Sequence, residues 1–471
     1  LDILQSVPVL GYISFTVVFF MSLFPGKVMG AELAAIFAIF TSQAWNMAFS
    51  FYQSLRTVPR DLDEACRGFR FSGWQRFWRL EAPFAMPGLV WNMMMSMSGG
   101  WFFVVASEAI TVGDHQIVLP GIGAYVAMAI EQKNLGAVGW AILAMIAVIL
   151  LYDQLMFRPL VAWSDKFRFE QTGAQVVPES WVLDLARRTR MMRRLATPFR
   201  AMFRYSLRFR LPSIPLEVAS PVSSRFIDVV WYGVVAAGTA YCLWQVVSYV
   251  GASLTWNDVG EVTAKSFVTL VRVVVLILLA SVVWVPLGVM IGLRPGLAAK
   301  IQPLAQFLAA FPANLFFPVA VVLLVRFHLN VDVWLSPLMI LGTQWYILFN
   351  VIAGASAFPN DMKEAASNFR IRGWQWWRTV MLPGIFPYFI TGAITASGGA
   401  WNASIVSEYV KWGNTTLTAT GVGAYIAQMT EKGDYPRIVL GIAVMSLFVT
   451  LFNRFLWRPL YGFAERRLRL D

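Results

Sequence analysis

The chain repeats itself. Shifted by 300 residues, positions 61–160 fall on 361–460 with 27 of 100 residues identical and no gap, where composition alone gives about six. Asp61-Leu62-Asp63-Glu64-Ala65 matches Asp361-Met362-Lys363-Glu364-Ala365, and Gly73-Trp74-Gln75 matches Gly373-Trp374-Gln375. Pro83 and Pro87 match Pro383 and Pro387, Trp101 and Ser107-Glu108 match Trp401 and Ser407-Glu408. Gly121-x-Gly123-Ala124-Tyr125 and Arg158-Pro159-Leu160 recur as Gly421-x-Gly423-Ala424-Tyr425 and Arg458-Pro459-Leu460. Such periodic identity means two copies of one structural unit.

Those copies are built for lipid. Of 471 residues, 58% are hydrophobic and 14% charged, and the mean hydropathy is +0.60. Soluble domains average about 45–50% apolar and about 25% charged. A soluble enzyme, a disordered chain and a free nucleic-acid binder are excluded, leaving an all-α polytopic membrane protein. Apolar runs place ten spans near 6–24, 32–54, 84–110, 136–157, 226–250, 264–293, 303–326, 334–356, 384–409 and 436–457. At about 1.5 Å per residue the longer ones cross a hydrocarbon core of about 30 Å. The two runs at 226–250 and 264–293 have no counterpart in the first copy. The chain opens on Leu1 rather than Met, with no basic n-region or cleavage site. The expectation is a first repeat over 1–163 lacking its first two spans, a linker over 164–225, a second repeat over 226–471, and twelve spans in full length.

Charge assigns the sides. The net charge is +12 and the pI about 9.8. Arg56, Arg60, Arg67, Arg70, Arg76 and Arg79 crowd 56–82, and Lys363, Arg370, Arg372 and Arg378 crowd 356–382. The linker holds twelve Lys or Arg against five Asp or Glu, and the chain ends in Arg466-Arg467-Leu468-Arg469. All fall on one side if every span crosses, and basic excess marks that side as cytoplasmic. The C-terminus is then cytoplasmic. The linker stretch 187–210 reads as a basic amphipathic helix lying against anionic headgroups, with a regulatory docking surface as the alternative. Cys66 and Cys242 sit in unlike surroundings, so neither a disulfide nor a metal spacing is expected.

The segments 59–83 and 359–383 are the most informative. Each begins Pro-x-Asp, passes through Glu-Ala, and reaches a proline nineteen residues after the glutamate. The pattern predicts a helix, a break, and a second amphipathic helix. Asp61 with Glu64, and Asp361 with Glu364, are predicted as N-terminal capping pairs. Phe69, Trp74, Phe77 and Trp78 form an aromatic face, as do Phe369, Trp374, Trp376 and Trp377.

Glu-Ala-(Ala/Cys) followed nineteen residues on by proline resembles the cytoplasmic coupling loop of ATP-binding-cassette importer permeases with the type I, binding-protein-dependent fold. The resemblance implies two ATPase subunits docking on 56–82 and 356–382, with Asp61, Glu64, Ala65, Arg70, Gly73 and Trp74, and Asp361, Glu364, Ala365, Arg370, Gly373 and Trp374, carrying the contact. It implies a cytoplasmic (inner) membrane of a bacterium or archaeon, and an extracytoplasmic substrate-binding protein as partner. The family pattern has glycine six residues after the glutamate, where this chain has Arg70 and Arg370, so Gly73 and Gly373 are expected to reverse the chain instead. Gly-Trp-Gln, Ser-Glu and Gly-x-Gly-Ala-Tyr resemble the anion branch, whose cargoes are nitrate, bicarbonate, sulfonates and taurine.

No phosphate-cradling Gly-x-x-x-x-Gly-Lys-(Ser/Thr) and no nucleophile–base constellation occur in the chain. No enzyme activity, cofactor or metal is expected here, with ATP and magnesium on partner subunits and no nucleic acid involved. Polar residues inside spans usually face an interior. Asn46, Asn92, Ser96, Trp101, Glu108, Asn350, Thr395, Trp401, Asn402 and Glu408 are candidates for a translocation path, against the alternative of helix–helix hydrogen bonds. The methionines at 93–97 read as packing. Glu108 and Glu408 read as caps on the following segment, partners of a base, or gates at the outer mouth. Gly121-x-Gly123 and Gly421-x-Gly423 read as a tight turn into a short helix. Rival readings are an ion-gradient transporter, an importer of a non-anionic solute, and a membrane-embedded enzyme. The first would need ionisable residues deep in the spans, where Arg272 stands almost alone.

Overall fold

The computed structural model describes residues 8–25, 27–112, 115–167, 180–207 and 221–468. Helix dominates, as the apolar composition requires: without water in the hydrocarbon core each backbone N–H and C=O must be satisfied within its own segment. Among the described residues six helices are long and apolar enough to cross a membrane. They are Val28–Arg56, Leu135–Phe167, Phe226–Gly251, Trp256–Gly292, Gly373–Ser407 and Tyr435–Ala464. Three bent helix pairs bring the count to nine if each is one span: Gly73–Met94 with Gly99–Ser107, Pro295–Ala310 with Ala313–Arg326, and Val331–Ile340 with Gln344–Ser356. The sharpest bend, 73°, falls at Phe311-Pro312, where proline cannot continue the hydrogen-bond ladder. The tenth predicted span is the helix Val9–Leu23, 15 residues long. Its length of about 22 Å falls short of a full crossing.

The chain packs as two compact units, residues 1–43, 97–146 and 250–471, and residues 44–96 and 147–249. Their boundaries cut through helices rather than at the junction between repeats. The core of the first unit lies where Trp256–Gly292, Gln344–Ser356 and Leu382–Ser407 meet, around Val273, Ile277, Ile347, Val351, Ile390 and Ala396. Small residues let these helices close on each other. A Cβ on Gly392 would stand 2.6 Å from the Tyr346 carbonyl, and one on Gly288 would stand 2.7 Å from Val351. In the second unit polar side chains join the helices, with Asn46 donating to Ser96 at 3.2 Å and Asn92 to Ser50 at 3.0 Å.

Two antiparallel hairpins were not predicted from the apolar pattern. Ala109–Val112 pairs with His115–Val118, and Tyr409–Trp412 with Thr415–Thr418. Each follows a Ser-Glu and leads into a short helix, Ile122–Glu131 or Val422–Lys432. At four residues per strand they give too little alternation to stand out beside long spans.

Candidate functional site

The segments 59–83 and 359–383 fold into matching elbows. In the first, Arg60–Gly68 is one helix and a second begins at Gly73, passing through a π-helical turn at Phe77–Glu81 into Ala82–Ser107. The second has Asn360–Asn368, a helix from Gly373, and the same turn at Trp377–Met381. The reversal between helices is a Schellman turn in both. Phe71 N–H bonds the Cys66 carbonyl at 3.1 Å and Arg70 N–H the Arg67 carbonyl at 2.9 Å. Ile371 N–H bonds Ala366 at 2.9 Å and Arg370 N–H bonds Ser367 at 3.0 Å.

The left-handed residue that closes the turn is the arginine itself, with φ of 51° at Arg70 and 52° at Arg370. Gly73 is not left-handed, which corrects the expectation there, whereas Gly373 is, with φ of 57°, so the second elbow uses both positions. An arginine there costs roughly 1–2 kcal/mol over glycine, and the two end bonds hold it. The capping expectation is corrected too. Pro59 and Pro359 precede the first helical residues, and no side chain caps them. Proline presets the entry φ, which leaves Asp61 and Asp361 inside the first turn, where a carboxylate favours the helix dipole.

Both elbows present the same face. Asp61, Glu64, Ala65, Phe69 and Arg70 are exposed, as are Asp361, Glu364, Ala365, Phe369 and Arg370, while Cys66 and Ala366 are buried beneath. Phe69 is 73% exposed and Phe369 80%. Each phenylalanine stands beside the left-handed arginine at the apex of its turn.

Their supports differ. Asp63 pairs with Arg67 at 2.8 Å and Arg76 at 3.0 Å, and Arg76 with Glu81 at 2.9 Å, tying the two helices of the first elbow together. Ser72 and Gln75 form a reciprocal capping box there, and both are buried. The matching positions in the second elbow are Lys363, Ser367, Trp376, Met381, Arg372 and Gln375, and Arg372 caps nothing with its side chain. Trp74 is 37% exposed, Trp374 73%.

The Ser-Glu motifs build a second paired feature. Glu108 Oε2 accepts the Gly123 N–H at 2.6 Å, and Glu408 Oε2 accepts the Ala424 N–H at 3.2 Å. Each carboxylate caps the N-terminus of the helix that follows. Gly-x-Gly makes this possible by leaving space rather than by unusual φ. A Cβ on Gly121 or Gly421 would stand 2.2 Å from the carboxylate of Glu108 or Glu408, and one on Gly423 would strike the Ser404 backbone at 2.4 Å. Glu408 also takes the Arg272 guanidinium at 2.5 Å and the Thr269 hydroxyl at 2.9 Å. Arg272 is 8% exposed and Glu408 1%, and Asp332 reaches Arg272 from the other side at 3.4 Å. The charge that stood out in the spans is thus neutralised in place. Sequence reasoning foresaw a base beside the glutamate but not that the base was Arg272, some 136 residues away.

The path candidates scatter. Asn46 and Ser96 bond each other, and Asn92 bonds Ser50 and the Gly88 carbonyl. Asn350, Thr395 and Asn402 donate to carbonyls of their own helices, and Asn402 Oδ1 also accepts the Val9 N–H at 2.8 Å. Trp101 is half-buried, while Trp401 and Glu408 are sealed in the core. Burial removes Trp401 and Glu408 from the surface of a path in this conformation; a packed indole and a paired carboxylate have no face left for cargo.

The geometry defines a polytopic helical membrane protein carrying two copies of one exposed elbow. Residues 1–158 and 284–469 match the family described as "Binding-protein-dependent transport system inner membrane component", and the chain belongs to that family. Among its relatives, the bicarbonate transport system permease protein CmpB of Synechococcus elongatus is 28% identical over 191 residues, 41% of this chain and 66% of that protein. The nitrate import permease protein NrtB of Leptolyngbya laminosa is 26% identical over 203 residues, 43% and 67% respectively. The CmpB of Synechocystis sp. is 26% identical over 176 residues, 37% and 60%. The chain thus spans about two thirds of the length of the curated relatives it matches.

Proposed function

We propose that this chain is the fused permease subunit of an ATP-driven importer, in which each elbow receives one ATPase subunit. The observation that carries the reading is the duplicated elbow: the same Schellman reversal, with the same exposed glutamate, alanine, phenylalanine and arginine, occurs twice in a chain of this family. Importers of this kind need two such contacts, and one polypeptide here supplies both. ATP binds and is hydrolysed on the partners. Closure of the ATPase pair pulls on the elbows, each continuous through its π-helical turn with a long span, Ala82–Ser107 or Leu382–Ser407. In this reading that pull drives alternating access.

The cargo reading is a small oxoanion of the nitrate or bicarbonate kind, delivered by an extracytoplasmic binding protein. It is supported by the relatives' names. The membrane is the cytoplasmic one of a bacterium or archaeon, with elbows, linker and C-terminus on its inner side by the positive-inside bias.

The test is co-purification with the ATPase encoded beside the gene, wild type against Glu64→Arg plus Glu364→Arg. Both glutamates are exposed, so the fold should survive. Wild type is expected to hold two ATPase copies and the double variant none, with ATPase activity falling to that of the free subunit. An ATPase that ignores the wild-type chain, or a double variant that assembles and hydrolyses normally, overturns the reading in favour of an ion-gradient transporter.

A further inference from the structure

The linker is fastened to the first elbow. Its helix Arg190–Ser206 ends at Leu207, whose carbonyl accepts a hydrogen bond from Gln75 Nε2 at 3.0 Å. One turn earlier, Phe203 meets Trp78 edge-on with ring centroids 5.2 Å apart. Gln75 already serves the capping box and Trp78 sits in the π-helical turn, so the linker grips the part of the elbow that aims it.

Most of the side chains described on that helix are exposed. At about 100° per residue, Arg190, Arg194 and Arg204 fall in one arc of about 80°, and Met191 and Met202 fall beside it on the way round to Phe203. All three arginines and both methionines are exposed. A helix with one basic arc, one open apolar arc and one arc packed on protein is shaped for a membrane interface. Its position in the chain agrees. In sequence it lies between the spans Leu135–Phe167 and Phe226–Gly251. Where the first of these spans ends, Lys166 lies over the rings of Trp163 and Phe167 at 4.6 and 4.5 Å, an arrangement of aromatic and lysine typical of the headgroup level.

We propose that Arg190–Ser206 binds anionic phospholipid headgroups along its arginine arc and thereby holds the first elbow, but not the second, at the membrane surface. The asymmetry follows from the chain: the residues matching Gln75 and Trp78 are Gln375 and Arg378, and both are exposed. The lipid contact does not depend on the ATPase reading, and its test contains no ATPase.

The full chain is reconstituted in nanodiscs of phosphatidylcholine alone or with phosphatidylglycerol. A nitroxide is attached through Met202→Cys in a background carrying Cys66→Ala and Cys242→Ala. With phosphatidylglycerol the label should collide with lipid-dissolved oxygen rather than with a water-soluble nickel chelate. Replacing Arg190, Arg194 and Arg204 by Gln should return it to water, with each arginine lost weakening phosphatidylglycerol retention by about fivefold. In unlabelled protein, native mass spectrometry should find phosphatidylglycerol retained over phosphatidylcholine, and amide exchange of 60–81 should quicken in the triple variant while 360–381 stays unchanged. A label in water in both discs, equal retention of both lipids, or protection at 202 that appears only with a co-purifying soluble protein overturns the proposal, and the last makes the helix a protein-docking surface.

Discussion

The two elbows share one reversal and differ in what holds it; at the start of the next helix Gly373 is left-handed and Gly73 is not. Both reverse through a left-handed arginine in the same pair of end bonds. The first adds a chain of ion pairs, a buried capping box and the linker helix. The second stands on exposed tryptophan and an uncapped helix start. The capping carboxylates show the opposite bias: Glu408 has Arg272 and Thr269, while Glu108 meets the glycine turn through the Gly123 N–H. Duplication has preserved the geometry a partner would read. The residues that support it have diverged.

The largest expected effect is at the buried pair. Arg272→Met leaves Glu408, 1% exposed, without its cation, and breaking a buried pair costs about 3–5 kcal/mol. Thermal unfolding in detergent should show a fall of several degrees, while Glu408→Gln with Arg272→Met, which removes both charges, should recover most of it. If the single and double variants unfold alike, the pair is not what holds the Val422–Lys432 helix. Next come the glycines. Gly121→Ala and Gly421→Ala each push a methyl into the capping carboxylate. The loss should be greater at Gly421, because Glu408 is pinned by Arg272 and Thr269 and cannot step aside.

The fold was largely legible before any coordinates. Length of apolar run decides a span almost alone, because lipid permits so few alternatives, and all ten predicted positions carry helix. The elbows were legible as helix, break and helix for the same reason: charge and aromatics recur at fixed spacing. What was missed depends on partners distant in sequence or on space. Arg272 reads as an isolated charge until Glu408 is folded against it. Gly121 and Gly421 look like hinge glycines until a Cβ is placed there and meets a carboxylate. The turn was misplaced because glycine is the usual left-handed residue, and Gly73 was near; the end bonds of the Schellman turn chose Arg70 instead. Asn402 looked like a path residue because a span amide is costly, and its partner proved to be the backbone N–H of Val9.

The middle-sized effects sharpen the elbow comparison. Ser72→Ala removes one half of the capping box and should cost about 1 kcal/mol, seen as faster exchange over 73–81. Arg372→Ser offers Gln375 the partner it lacks and should gain a similar amount over 373–381. Arg70→Gly and Arg370→Gly should each stabilise their turn by about 1 kcal/mol by removing left-handed strain. If either glycine variant also loses the ATPase while its elbow exchanges more slowly, the arginine is kept for the contact rather than for the turn.

The smallest effect separates the hairpins. Glu431 accepts from Tyr409 at 2.7 Å and Lys411 at 2.5 Å, where the first repeat has Ala109 and Thr111. Burial opposes ionisation of Glu431, but the Lys411 and Tyr409 contacts outweigh it and hold the carboxyl below its usual range. A depressed folded pKa contributes stability above the unfolded value of about 4.3, and that stability is lost as pH falls through the lower folded value. Both partners of the ion pair are partly exposed, so its worth stays under about 1 kcal/mol. Wild type should therefore melt slightly above Lys411→Met at neutral pH, and the gap should close below pH of about 4. A gap that persists in acid would mean that Lys411 stabilises the second hairpin through its stem over the Tyr409 ring, whose centroid lies 5.6 Å from Nζ, and not through its charge on Glu431.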